Sequence, residues 1–299
     1  MSILDNIKRG GQNLPPRVLL CGPEGIGKSS FGAAFPDPLF LAPEEGLTGL
    51  DHVAHLSPAS WEEVLDTVQA LTVDAHGHKS FVIDTSDSLE RLLHDYLVRK
   101  ANSPKIQSIE DVGGGWQKGY KAAEQELSVL LQKLDLLRAR QNMSIVILSH
   151  VEIKNFMSPD GTAWDRYQLK GHKFFTALLR EWPDACLFAT YEVFKMKEGR
   201  SEKAIAGDRV IHTNWSPAWE AKNRLGLPDV LPLDYEVFIR EVEKNSPPSL
   251  RKKFLELLET STLDAETRKA WVKTPIEQVA PDRIRAGIAK LENLQPAKK

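Results

Sequence analysis

The feature that most restricts the fold of this chain is a glycine-rich segment between a short apolar run and a predicted helix. Residues 22–29 read GPEGIGKS, which fits the pattern G-x-x-x-x-G-K-[ST] at every defined position. The preceding residues Arg17–Cys21 predict a buried strand, and a helix is predicted from about Lys28. Between a strand and a helix, such a loop turns its backbone N–H groups onto phosphate oxygens. The segment therefore predicts a phosphate-binding loop in an α/β fold.

This loop assigns roles to individual side chains. We expect Lys28 to reach the β- and γ-phosphates of ATP, and the Ser29 hydroxyl to hold Mg²⁺. The alternative is a glycine loop that fits the pattern by chance. The residues predicted to contact the nucleotide are Gly22, Pro23, Glu24, Gly25, Ile26, Gly27, Lys28, Ser29 and Ser30.

A second predicted strand ends in a carboxylate. Ser80–Asp84 (SFVID) is apolar until its last residue. In P-loop proteins, an aspartate at such a strand end anchors Mg²⁺ through its water shell. The alternative is that Asp84 or Asp87 only caps the helix that follows. Because Asp84 comes at the expected distance along the chain after the glycine loop, we expect it to bind the metal.

Short apolar runs alternate with longer amphipathic segments, which indicates an α/β fold with a mostly parallel sheet flanked by helices. Further strands are predicted over Pro38–Ala42 and Ser144–Ser149, and helices over Trp61–Leu71, Leu89–Arg99 and Trp116 to about Arg140. Residues 151–172 are polar and show no clear periodicity. The segments Ala185–Met196 and Asp208–Thr213 predict antiparallel edge strands.

The chain is expected to divide near residue 245. After a predicted helix over Asp234–Lys244, Ser246 and two prolines interrupt the pattern, and the remainder predicts two or three short helices. This tail carries 11 basic and 7 acidic residues, so it is more basic than the rest. We therefore expect an ATPase core over residues 1–245 and a helical extension over 246–299.

Composition excludes several classes of protein. With 39 basic and 41 acidic residues, the chain is not a strongly basic nucleic-acid binder, so any contact with DNA must be a local patch. Two cysteines among 299 residues cannot form a disulfide framework. The apolar runs are too short to span a bilayer, and residues 1–16 show no secretion signal. We expect a protein of the bacterial cytoplasm.

A catalytic base is expected at the end of the second strand. Thr85 follows Asp84, which disfavours enzymes that place a glutamate there. The Pro38–Ala42 strand is followed instead by Glu44 and Glu45, either of which could deprotonate the water that attacks the γ-phosphate. We favour Glu44. The alternative is that both are solvated loop charges.

The order of these elements resembles the RecA-type ATPase core. In that family the fourth strand ends in a polar residue that senses the γ-phosphate and moves the DNA-binding loop after it. Here the strand Ser144–Ser149 is followed by His150, which takes that position. The alternative is a histidine that makes ordinary hydrogen bonds.

The segment Ala221–Pro228 resembles the Lys-x-Arg element of DnaB-like helicases and KaiC-like ATPases. The resemblance implies that Lys222 and Arg224 reach the ATP of a neighbouring subunit, where a cation neutralises charge on the γ-phosphoryl group. Such an enzyme would assemble as a ring or a filament. The alternative is two solvated surface charges.

Over residues 17–232 the chain is similar to phage RecA-like ATPases of the Sak-type single-strand annealing and recombination group. The similar stretches are residues 22–51, 113–120 and 221–229, and the chain departs from the group at Ala42 and Pro43. The resemblance implies DNA-stimulated ATP hydrolysis, self-association, and single-stranded DNA and a single-strand-binding protein as partners. Under this resemblance the residues after the sensor strand would contact DNA, and they are Lys154, Phe156, Trp164, Arg166, Tyr167 and Lys170.

Three alternatives to this interpretation stay open. The segment after the sensor strand also holds Glu152, Asp160 and Asp165, so its charge is balanced and it could be a surface loop with its rings in the core. Residues 102–120, with Trp116, form a second candidate DNA-binding segment. For the whole protein, the alternatives are a KaiC-type assembly ATPase that does not act on DNA, and a small-molecule P-loop kinase.

Overall fold

A nine-stranded sheet is the centre of the unit formed by residues 14–238. The computed structural model describes residues 14–44, 46–198, 201–276 and 279–294, with only the backbone of 194–198, 201–206 and 265. The strands are β1 (Arg17–Cys21), β2 (Pro38–Leu41), β3 (Ala54–Leu56), β4 (Ser80–Asp84), β5 (Ser144–Ser149), β6 (Val151–Met157), β7 (Ala163–Leu169), β8 (Ala185–Glu198), β9 (Ser201–His212), β10 (Lys222–Asn223) and β11 (Val230–Pro232). The order along the sheet is β11-β9-β8-β1-β5-β4-β2-β3, with β10 on β8. The strands from β3 to β8 in this order pair in parallel, so the predicted fold class is confirmed.

Helices come between the strands of the sheet and after them along the chain. They are α1 (Lys28–Ala33), α2 (Trp61–Val73), α3 (Ser86–Lys100), α4 (Lys118–Gln141), α5 (Lys173–Glu181), α6 (Tyr235–Lys244), α7 (Pro247–Thr260), α8 (Ala265–Trp271) and α9 (Pro281–Asn293). In α4, Leu127, Leu130, Leu134 and Leu137 recur at helical spacing and are fully buried. Burying each such side chain contributes about 1.5–3 kcal/mol to the stability of the fold. The apolar face of α4 and the apolar strands therefore pack against each other.

The central strands are buried on both faces because helices cover both sides. The four residues from Val18 to Cys21 in β1 are all buried, as are Ile145 to Ser149 in β5. Continuous apolar runs of this kind are typical of parallel strands, which is why their bounds could be predicted closely. Since β1, β2, β4 and β5 run in parallel, the loops that follow them share one edge of the sheet.

In the middle of the chain, one segment without clear periodicity is regular, and the prediction of an edge strand at Ala185–Met196 was wrong. Residues 151–169 do not form an irregular segment: β6 and β7 pair as an antiparallel hairpin, separate from the large sheet. Ile153, Lys154 and Met157 of β6 are exposed, so the hairpin lacks the buried apolar face that makes a strand recognisable in sequence. Nor is β8 an edge strand, because it pairs in parallel with β1 and in antiparallel with β9.

By its contacts the chain divides into two compact units between residues 238 and 239. In the second unit, α7 packs on α9 through Leu250, Phe254 and Leu258 against Ile284, Ile288 and Leu291. The domain boundary at residue 245 stays a prediction. None of the helices in the described ranges is both long and apolar enough to cross a membrane.

Candidate nucleotide site

The glycine loop lies between β1 and α1, as its sequence predicts. Gly27 has φ +108°, in the left-handed region that favours glycine, and it directly precedes the first helical residue. A Cβ atom on Gly22 would lie 2.5 Å from the carbonyl oxygen of Ala189 in β8, so only glycine fits there. The loop, β2, β4 and β5 border a cleft of about 390 Å³. Gly25, Gly27, Lys28, Ser29 and Ser30 line this cleft.

Lys28 is the central cation of the loop. Its ammonium group donates hydrogen bonds to the carbonyl oxygens of Gly22 and Pro23, both at 2.9 Å, and its side chain is almost wholly buried. Burial lowers the pKa of Lys28, and the nearby Asp84 carboxylate opposes that effect. A buried cation held by carbonyl groups that it can exchange for phosphate oxygens suits a nucleotide site.

Ser29 and Asp84, the two residues predicted to hold Mg²⁺, lie in hydrogen-bond contact at the cleft. The Ser29 hydroxyl donates a hydrogen bond of 2.6 Å to Asp84 Oδ2. Burial raises the pKa of Asp84, whereas the bond from Ser29 and the charge of Lys28 lower it. A hydroxyl and a carboxylate at this distance are the oxygen ligands that Mg²⁺ takes beside phosphate groups, so these two residues fit the metal. In the described ranges no cluster of three or more His, Cys, Asp or Glu forms a separate metal site.

His150 also reaches the cleft, and Asp87 holds its ring. His150 Nδ1 lies 3.1 Å from both carboxylate oxygens of Asp87, a residue of the first turn of α3. Burial alone would raise the pKa of Asp87, but hydrogen bonds from His150 and Thr85 hold it well below its usual value. Lys170 Nζ, at the end of β7, lies 3.8 Å from the same carboxylate. Asp87 therefore links the nucleotide cleft to the base of the hairpin.

Glu44 follows β2 and lines the rim of the cleft, as do the residues that follow β1, β4 and β5. It forms an ion pair with Arg91 of α3, and both side chains are about half exposed. An exposed ion pair of this kind is weak, so it does not prevent Glu44 from turning towards the cleft. The alternative base, Glu45, lies outside the described residues.

Lys222 and Arg224 do not line the nucleotide cleft of their own chain. Lys222 in β10 pairs with Cys186, which lies opposite Leu19 in the middle of β1. The N–H of Arg224 donates to the carbonyl of Asp184, whose own N–H donates to the carbonyl of Arg17 at the start of β1, whereas the glycine loop follows the other end of β1. Neither cation is therefore placed to reach the phosphate site of the same chain. Any contact with ATP would have to be made in another subunit.

The structure argues against a finger role for Lys222. Its ammonium group donates to the carbonyl oxygens of Arg180 and Glu181, at 2.6 and 2.7 Å, in the last turn of α5. Burial and repulsion from Arg224 lower the pKa of Lys222. A cation on the last carbonyls stabilises a helix end, which is a structural task. Arg224 is exposed, and no bond of its guanidinium is recorded within the ranges that the structure describes.

The hairpin brings the predicted DNA-binding residues together, but it buries one of them. Arg166 is 6% exposed and forms an ion pair of 3.0 Å with Glu220, which also binds Arg180. The guanidinium of Arg166 lies over the ring of Phe156, 5.1 Å from its centroid. Arg166 is thus engaged inside the protein, and this burial counts against the prediction that it contacts DNA phosphates, which stays a prediction.

Of the other hairpin candidates, Tyr167 packs with its ring 5.1 Å from Phe188, and Trp164 donates its indole N–H to the carbonyl of Pro217. Lys154 is exposed and pairs with Glu152 at 2.8 Å. Lys154 and Lys170 are therefore the cations of this set that stay at the surface, while Phe156, Trp164 and Tyr167 are partly covered.

The second candidate segment carries the most exposed large hydrophobic side chain among the described residues. Trp116 is 92% exposed, just before α4, and has a positive φ of 54°. Tyr120, one turn further on, stacks on His172 at 3.7 Å, so this segment adjoins the chain that leaves the hairpin. Residues 102–120 and the base of the hairpin therefore form one continuous surface.

Sequence reasoning missed three residues near the cleft. Asp87 was considered only as a helix cap, because its partner His150 is distant in sequence. Arg91 was not considered, because its partner Glu44 is distant as well. The third is Arg209 of β9, whose guanidinium Nη1 donates to the carbonyl of Ile26 at 3.3 Å. The sequence signal for each was only a charged residue beside a predicted strand or helix.

Comparison with known proteins supports the nucleotide site. A model of the AAA_24 family, described as an AAA domain, matches residues 14–225, which is well over half of the chain. No curated protein sequence matches the chain closely enough to count as a relative. The matched region includes the glycine loop, Asp84, His150 and the whole hairpin. This family implies nucleotide binding, typically with Mg²⁺, and ATP hydrolysis in general. The chain therefore belongs to the AAA_24 family of P-loop ATPases.

Proposed function

We propose that this protein is a RecA-like ATPase that acts on single-stranded DNA in phage recombination or strand annealing, as Sak-type proteins do. One observation carries the proposal: the nucleotide cleft and two segments with surface aromatic and basic residues adjoin at the same edge of the sheet. Asp87 binds both His150 of the cleft and Lys170 of the hairpin, so the two regions share a carboxylate.

The cleft contains the groups that ATP hydrolysis needs. The loop N–H groups and Lys28 would bind the phosphates, and Ser29 with Asp84 would hold Mg²⁺, which neutralises phosphate charge. Glu44 would take a proton from the water that attacks the γ-phosphorus as the bond to ADP breaks. His150, fixed by Asp87, would contact the γ-phosphoryl group.

The DNA surface would extend from Trp116 to the hairpin. An exposed indole stacks on a base at about 1–3 kcal/mol per base, without preference for sequence. Lys105 and Lys118 are exposed on the same segment, and Lys154 and Lys170 on the hairpin. These cations would bind the phosphates that follow one another along a single strand.

The alternative is a KaiC-like or DnaB-like assembly ATPase that does not act on DNA. The balanced charge of the hairpin favours it, because Glu152 already pairs with Lys154 and Glu220 with Arg166. The two functions predict different effects of single-stranded DNA on the rate of ATP hydrolysis: an increase for the first, and no change for the second.

The test compares ATP hydrolysis with and without oligo(dT), together with the binding of fluorescent oligo(dT). We expect DNA to raise the rate, and Trp116→Ala to weaken binding about tenfold. Leu136→Ala is the matched control, because Leu136 is 42% exposed near the other end of α4. An ATPase rate indifferent to DNA, with no binding of oligo(dT), would leave the assembly ATPase as the function.

A further inference from the structure

The structure places a second cation of the same chain against the phosphate-binding loop, on the side opposite to β4. Arg209 of β9 donates from Nη1 to the carbonyl oxygen of Ile26 at 3.3 Å. A Cβ atom on Gly27 would lie 2.9 Å from the same Nη1, so the guanidinium closely approaches the backbone of the loop. The glycine at position 27 is therefore needed for this contact as well as for its positive φ.

The backbone of Arg209 is firmly held. Its carbonyl accepts a hydrogen bond of 2.9 Å from the N–H of Leu233, and Arg209 lies opposite Tyr191 of β8 in the register. A Leu233 methyl group would be 3.5 Å from a Cβ on Gly27, so Leu233 borders the same part of the loop. The guanidinium thus extends from a paired strand rather than from a free loop.

The charge of Arg209 has no acidic partner in the ranges that the structure describes. None of the ion pairs found there includes Arg209, although its side chain is exposed and other arginines, such as Arg17 and Arg99, do form such pairs. An exposed guanidinium without a carboxylate, next to a loop that binds anions, adds to the positive potential at that loop.

We propose that Arg209 is a positioning residue of the nucleotide site, acting through the Ile26 carbonyl. When this carbonyl is held outwards, the N–H groups of Gly27 and its neighbours can face the phosphates, and the guanidinium charge favours the anion. The contact is made within one chain and therefore does not depend on assembly. The proposal rests on the nucleotide site proposed above and adds a residue from outside the P-loop motif.

The experiment measures ADP and ATP binding by calorimetry, and steady-state ATPase kinetics, for Arg209→Met and Arg209→Lys. A hydrogen bond to a charged group contributes to affinity, and we expect Arg209→Met to weaken the binding of both ADP and ATP about tenfold. KM for ATP should rise accordingly, while kcat changes little, because the interaction serves bound substrate and transition state alike. Arg209→Lys should restore most of the affinity, which a purely structural role would not predict.

Two further variants separate the possible failures. Arg99→Met is the control, since Arg99 is an exposed arginine at the end of α3, remote from the loop. Lys28→Ala tests the site itself. If Lys28→Ala abolishes ADP binding and Arg209→Met binds ADP like the unaltered protein, the inference about Arg209 is overturned and the nucleotide site stands. If Lys28→Ala binds ADP normally, the nucleotide site itself is wrong. A lowered melting temperature in Arg209→Met that Arg209→Lys does not restore would also overturn the positioning role.

Discussion

At the scale of single residues, Glu44 occupies the rim of the nucleotide cleft without a contact that fixes it there. It pairs with Arg91, and both side chains are half exposed. We expect Glu44→Gln to retain ATP binding and to lose hydrolysis by at least about a hundredfold, because only the proton acceptor is removed. Single-turnover hydrolysis and ATP binding are the measurements. The companion variant is Glu45→Gln, and if it alone shows the loss, the base is Glu45.

Glu90 is a second carboxylate of α3, buried beside the loop that leaves β7. It accepts the backbone N–H of His172, with 3.0 and 3.2 Å to its two oxygens, and His94 Nε2 lies 3.6 Å away. Burial raises the pKa of Glu90 from 4.5 to about 7, although the His172 N–H opposes this. The native fold therefore binds this proton more tightly than the unfolded chain does.

The sign of the pH dependence follows from that pKa. A raised pKa means that the contribution of Glu90 to stability is complete below about pH 4.5 and is lost as the pH rises through about 7. Glu90→Gln stays neutral, so its stability relative to the unaltered protein should increase between these values by up to about 3 kcal/mol. Urea unfolding of both proteins at several pH values measures this difference. Burial lowers the pKa values of His94 and His172, so their effect on the pH dependence of stability is opposite to that of Glu90. Both histidines are present in both proteins, so their effect largely cancels in the difference. A difference that does not change with pH would contradict the prediction.

At the scale of elements, the hairpin of β6 and β7 is held to the core through Arg166. Its guanidinium pairs with the partly buried Glu220, which also binds Arg180 of α5. We expect Arg166→Met to lower the free energy of unfolding by about 2 kcal/mol, because Glu220 loses one of its two cations. Denaturant unfolding is the measurement, with Lys154→Ala as control, whose exposed pair should cost less than about 1 kcal/mol. If Arg166→Met weakened DNA binding with no loss of stability, the original prediction of a DNA contact would be supported.

At the scale of the whole molecule, a variant of Arg224 tests whether the active site is formed by two subunits. Because the backbone of Arg224 is bound through Asp184 to the start of β1, and its glycine loop follows the end of β1, it would act only on a neighbour. We expect Arg224→Ala to bind ATP and to lose activity on the order of 10³-fold, as arginine fingers do. Mixing it with Lys28→Ala should restore part of the rate, since an interface with one intact loop and one intact arginine can form.

The measurement is the ATPase rate of each variant and of the mixture over a dilution series. Lys222→Ala serves as the comparison, because its bonds to the end of α5 predict a loss of stability rather than of catalysis. A rate per subunit that does not depend on concentration, with full activity in Arg224→Ala, would exclude the shared site.

The sequence by itself determined the elements around the nucleotide. Apolar runs bounded the central strands, so that β1, β4 and β5 were predicted to the residue, and helical spacing identified α2 and α4. Ser29 and Asp84 were singled out from the motif and from the strand end, and the structure adds that their side chains are hydrogen-bonded. These are local patterns combined with one general rule of topology.

Only the tertiary structure decided which charged residues are available. Arg166 and Lys222 look like free cations in sequence, but one is buried against Glu220 and the other binds the last carbonyls of α5. Arg209 and Asp87 look like surface charges, yet one contacts the Ile26 carbonyl and the other holds His150. The physical reason is that the partners of a charged side chain are distant in sequence. Neither the spacing of apolar residues nor a short motif shows which partners the fold brings to it.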